Sequence, residues 1–122
     1  MAEKILIVDD QEEIRELIRL ALEFDDYELY EAANGEQGWS IAQQIKPDLM
    51  LLDVMMPGSL NGLQVCRRIK TDPELAHIKV VLLTARGQDA DRQAGLQAGA
   101  DHYLIKPFSP LELMKVIDQA LI

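Results

Sequence analysis

The chain has 122 residues, enough for one hydrophobic core and too few for two, so residues 1–122 are read as one domain. At 48% hydrophobic and 27% charged residues, with no run of 18 apolar residues, a soluble globular domain is expected and a transmembrane helix is not. The formal net charge of −9 is carried by residues 1–61, with four Lys/Arg against fourteen Asp/Glu, which argues against direct binding to nucleic acid.

The first apolar run, Lys4–Val8, reads as a buried strand. It is too short for a signal peptide and stops at Asp9, so a cytoplasmic location is expected. Gln11–Phe24 places Ile14, Leu17, Ile18, Ala21 and Leu22 on one helical face. Tyr27–Ala32 is a second strand, whose alternating charges suit a sheet edge. A helix follows from Asn34, with Gln37 completing a capping pattern, and ends before Pro47. Asp48–Leu52 is the third strand and Ile78–Leu83 the fourth. Between them lie the turn-rich Pro57–Gly62 and a helix bearing Leu63, Cys66 and Ile69. Cys66 is the single cysteine; it excludes an intramolecular disulfide and reads as a small buried residue. Gln88–Ala98 is a helix closed by Gly99, and His102–Ile105 the fifth strand. The last helix is capped by Ser109, with Pro110 at its first position and Glu112 at its third.

Five strand–helix alternations imply an α/β domain: a doubly wound parallel sheet covered by helices on both faces. In such sheets, ligands bind beyond the carboxyl ends of the strands. Those ends deliver Asp9 and Asp10, Asp53, Thr84 and Lys106, and a strand order of 2-1-3-4-5 gathers them at one mouth. Singly, each has a structural explanation; Asp10, for one, could cap the first helix with Glu13 completing a capping box. Together they describe a site. Three converging carboxylates repel one another, and a hard divalent cation removes that conflict, Mg²⁺ above all, with Mn²⁺ able to substitute. A Lys ammonium and a Thr hydroxyl opposite the metal suit phosphoryl oxygens, and Asp is an established covalent nucleophile. The chemistry read from the residues is phosphoryl transfer to Asp53.

The segments Ile5–Asp10, Leu51–Pro57, Leu83-Thr84-Ala85, Gly99–Ile105 and Lys106-Pro107-Phe108 make the chain resemble a response-regulator receiver domain, the CheY-like module of two-component signalling. The resemblance implies a phosphorelay switch rather than an enzyme, on the flavodoxin/CheY-like fold. Asp53 would be the phosphoacceptor and Asp10 the direct metal ligand. Asp9 would act on the metal indirectly, and Met55 would offer its backbone carbonyl. Thr84 and Tyr103 would be the switch pair, and Lys106 the conserved lysine, with a cis bond to Pro107. A sensor histidine kinase or phosphotransfer protein would donate the phosphoryl group. The helix 4–strand 5–helix 5 surface would present the change to a downstream protein, and the acidic side of helix one is a candidate docking neighbourhood. Met55 and Arg86 sit where the family varies phosphoryl-group lifetime.

One departure is visible: Gly62 lies five residues after Pro57, where the family usually spaces them by four. Leu111, Val116 and His102 stand where DNA-binding OmpR/PhoB-type relatives carry charges for dimerisation, so a monomer or weak dimer is expected. The alternative reading is an aspartate-nucleophile phosphatase of the haloacid dehalogenase type. It is disfavoured by the position of Asp53 on the third strand and by the lack of an Asp-x-Asp pattern there.

Overall fold

The computed structural model describes residues 2–85 and 89–122. Five strands, β1 (Glu3–Val8), β2 (Tyr27–Ala32), β3 (Leu49–Asp53), β4 (Lys79–Ala85) and β5 (His102–Lys106), alternate with helices α1 (Glu12–Leu22), α2 (Gly35–Ile45), α3 (Gly62–Thr71), α4 (Asp89–Gln97) and α5 (Pro110–Ala120). All strand pairs are parallel, in the order β2-β1-β3-β4-β5, as expected from the chain's alternation. Gln88, the predicted start of α4, lies outside the described residues.

Strand parity explains the two cores. Leu6 and Val8 of β1, Met50 and Leu52 of β3, and Val80 and Leu82 of β4 point to one face. There they pack with Ala42 of α2 and with Val65, Cys66 and Ile69 of α3. Ile5, Ile7, Leu49, Leu51, Val81, Leu83 and Leu104 point to the other and pack with Ile18 and Leu22 of α1 and Leu113, Ile117 and Ala120 of α5. The three central strands therefore bury both faces, which is why they are apolar almost throughout. Cys66 is buried with its thiol on the Ala98 carbonyl at 3.7 Å, and burial pushes its pKa up to about 11.

The helix ends follow local chemistry. Ser109 and Glu112 form the expected capping box on α5, and Asn61 with Gln64 forms another on α3. At α2, Asn34 accepts from the Gln37 amide, but the Gln37 side chain accepts from Ala33 rather than from Asn34. After α4, the Gly99 amide bonds the Leu96 carbonyl and the Ala100 amide bonds Gly95, the paired bonds of a Schellman motif. On α5, Leu111 is exposed while Met114 and Val116 pack at the core margin.

Candidate functional site

At the carboxyl edge of the sheet, parity sorts the polar residues by face. Asp9 continues the Ile5–Ile7 row, Asp53 the Leu49–Leu51 row and Lys106 the row of Leu104, so these three belong to the α1/α5 side. Thr84 follows Val80 and Leu82 on the α3/α4 side. Tyr103, paired in register with Leu82, is on that side too.

Asp9 is wholly buried and Asp53 is 5% exposed. The Lys106 ammonium lies 2.7 Å from Asp9 Oδ2 and 3.5 Å from Asp53 Oδ1. The contact to Asp9 lies outside hydrogen-bonding angles, so it is an ion pair held by charge. Asp9 Oδ1 accepts from the Gln11 amide at 2.9 Å, which fixes the turn into α1. Asp10 does not cap that helix: the cap position is Gln11, with no side-chain bond, so the capping role considered for Asp10 and Glu13 is corrected. The α1 entry is held instead by Asp9, which leaves the exposed Asp10 carboxylate to the cleft.

One carboxylate oxygen from each of Asp9, Asp10 and Asp53 falls within 4.8 Å of the others. Three carboxylates against one ammonium leave two negative charges uncompensated, a deficit that one divalent cation cancels. An all-oxygen set beside a buried acid suits a hard ion such as Mg²⁺, so the residues fit the metal their sequence implies. Without it, burial and then the Asp9 charge push the Asp53 pKa up to about 7, against the opposing pull of Lys106. Thr84 Oγ1 is buried and has no hydrogen-bond partner among the described residues. A cleft of about 290 Å³ opens on this group, lined by Asp10, Gln11, Asp53, Met55, Ala85 and Lys106. Arg86, the other residue linked above to phosphoryl-group lifetime, lies outside the described residues.

The loop after Asp53 is held from two sides. A Cβ at Gly62 would stand 2.1 Å from the Asp53 carbonyl oxygen, so no other residue fits there without moving the strand end. The loop turns through Gly58, at a φ of 108°, and is held by Glu36 of α2. The Glu36 carboxylate accepts from Ser59 Oγ and the Leu60 amide, both at 2.8 Å, and these bonds lower its pKa. The Lys106–Pro107 bond is cis.

The chain matches the family model described as the response regulator receiver domain over residues 5–118. It belongs to the response-regulator receiver family. It is 47% identical over 110 residues to the phosphate regulon transcriptional regulatory protein PhoB of Pseudomonas aeruginosa, covering 90% of this chain and 48% of PhoB. It is 44% identical over 111 residues to the transcriptional regulatory protein ResD of Bacillus subtilis, covering 91% of this chain and 45% of ResD. The chain thus spans about half the length of these curated relatives. Among solved structures, a putative response regulator from Chloroflexus aurantiacus superposes with a TM-score of 0.93 at 35% identity, covering 99% of this chain and 98% of that one. The chemotaxis protein CheY4 of Vibrio cholerae gives 0.91 at 29% identity, covering 99% and 100%. The receiver is the phosphoaccepting signalling module of two-component systems, and the phosphatase alternative finds no support in these relatives.

Three side chains tied to the receiver's site carried no signal in the sequence. Arg15 of α1 donates to the Asp9 carbonyl at 2.7 Å. Arg92 of α4 donates to the Tyr103 hydroxyl and stacks over its ring, 4.1 Å from the centroid. Glu36 grips the loop described above. Each acts across 6 to 24 residues of chain through a particular rotamer, which no local motif encodes.

Proposed function

We propose that residues 1–122 work as one receiver unit in which Asp53 takes the phosphoryl group. The observation that carries this is the pairing of two buried carboxylates, Asp9 and Asp53, around one ammonium, Lys106. A carboxylate oxygen of Asp53 attacks the phosphorus of a phosphohistidine on a sensor kinase or phosphotransfer protein. The N–P bond breaks, and its electron pair returns to the donor imidazole. Asp10, Asp53 and the Met55 carbonyl would hold Mg²⁺, with Asp9 acting on it indirectly, and the ion would supply neutralisation of charge on the transferring group. Lys106 pairs with a phosphoryl oxygen, and the unpartnered Thr84 hydroxyl donates to another.

Moving Thr84 opens space on the α3/α4 side, and Tyr103 follows it inward, away from Arg92. The population of states shifts at the α4–β5–α5 surface, where a downstream protein reads it. The unit acts as a cytoplasmic monomer or weak dimer and turns over no substrate besides its own phosphoryl group. Incubation with acetyl phosphate and Mg²⁺, followed by intact mass, tests the assignment. Wild type gains one phosphoryl group and Asp53→Asn gains none; equal gain by both would sink it.

A further inference from the structure

Arg15 is 14% exposed, yet no step above uses it. Its guanidinium joins three elements. It donates from Nη1 to the Asp9 carbonyl at 2.7 Å, from Nε to Glu31 of β2 at 3.0 Å, and from Nη2 to Glu12 of α1. Arg19 joins the same pair of acids, reaching Glu31 at 2.5 Å and Glu12 at 3.3 Å, but makes no contact with Asp9 among those described. Two cations and two anions close this network on itself, so it holds no surplus charge to attract an anion.

The carbonyl that Arg15 takes is a particular one. The N–H and C=O of a residue in a parallel strand address the same neighbour, and the Asp9 amide already bonds Ala32, the last residue of β2. The Asp9 carbonyl therefore points beyond the end of β2, where the chain has turned into α2 and the ladder supplies no further donor. Arg15 supplies it. That peptide unit joins Asp9 to Asp10, and its plane sets the direction in which both carboxylates leave the backbone.

We infer that Arg15 is a positioning residue for the metal-binding acids, holding the Asp9–Asp10 peptide so that both carboxylates meet Asp53. The inference rests on the metal site proposed above. Outer groups that orient ligands change metal affinity by roughly tenfold or more when removed.

Mn²⁺ binding followed by the electron paramagnetic resonance of the free ion tests it without phosphorylation. Arg15→Met weakens binding roughly tenfold, Arg15→Lys restores part of it, and Arg19→Met, which removes network charge without touching Asp9, stays within about twofold of wild type. In the metal-free protein, the Asp10 amide ¹⁵N resonance, in the same peptide group as that carbonyl, moves in both Arg15 variants and not in Arg19→Met. Arg15→Lys and this shift carry the test if Arg15→Met fails to fold.

The inference is overturned if Arg15→Met binds Mn²⁺ like wild type, if Arg19→Met weakens binding equally, or if the Asp10 resonance stays put in the Arg15 variants. Asp10→Asn separates the two readings. If it weakens binding while Arg15→Met does not, Arg15's role falls and the metal site stands. If wild type binds no Mn²⁺, or Asp10→Asn costs nothing, both fall.

Discussion

Replacing Asp53 by Asn in the metal-free protein should stabilise the fold, and by an amount that grows with pH. The Asp53 carboxyl is buried beside Asp9, and its pKa rises from 3.8 to about 7. A raised acid pKa means that the folded state holds a proton that the unfolded chain has released. Asp53 therefore contributes its full stability only below about pH 4, and that contribution is lost as pH rises to about 7. Each unit of pH in that window costs about 1.4 kcal/mol, so wild type should lose about 3 kcal/mol between pH 5 and pH 8 through this one group. Asn carries no charge and loses nothing. Urea denaturation of both proteins in EDTA at pH 5, 6.5 and 8 measures the difference directly. The advantage of Asp53→Asn should widen by about 3 kcal/mol across the series and shrink when saturating Mg²⁺ is added, since a cation bound to the folded state stabilises wild type. A gap independent of pH would refute the claim that burial and Asp9 hold Asp53 in an unfavourable ionisation.

Lys106→Met removes the ammonium from the wholly buried Asp9. It should cost about 3 kcal/mol at pH 8 in EDTA, the low end for a broken buried pair because Lys106 is partly exposed, and less at pH 5, where the neighbouring Asp53 is protonated, read by the same urea titration. Gly62→Ala drives a methyl into the Asp53 carbonyl and should cost about 2–3 kcal/mol in thermal unfolding while slowing mass gain from acetyl phosphate. Thr84→Val removes a buried hydroxyl that has no partner among the described residues. It should leave the unphosphorylated fold unchanged or stabilise it by about 1 kcal/mol. With Mg²⁺ and beryllofluoride, Tyr103 ring resonances should move in wild type and stay in place in Thr84→Val.

The central strands were legible because burial on both faces leaves a continuous apolar run, and the five polar residues were legible because the runs of β1, β3, β4 and β5 stop on them. Thr84 and Lys106 lie at the ends of β4 and β5, one residue past the apolar stretch, and still pair in register within the ladder. The start of α1 was read less well. Asp10 with Glu13 fits a capping box as a string, but the Asp9 side chain takes the Gln11 amide first and shifts the helix start by one residue. The spacing from Pro57 to Gly62 marked the loop as unusual but did not show how it is held, because the Glu36 grip comes from another helix.

Parity along the strands also gives the proposed signal a direction. Asp9, Asp53 and Lys106 continue rows that pack against α1 and α5, while Thr84 and Tyr103 continue rows that pack against α3 and α4. A close-packed sheet does not let side chains trade faces within a strand, so two layers can exchange information only past the strand ends. A phosphoryl group on Asp53 is then sensed on the opposite layer through the one hydroxyl there that has no prior bond among the described residues. On this reading, Thr84 crosses the sheet's rim. Tyr103 then exchanges its contact with Arg92 for space left beneath α4, and the change emerges at α4 rather than at α1, where the Arg15 network holds the acidic turn fixed.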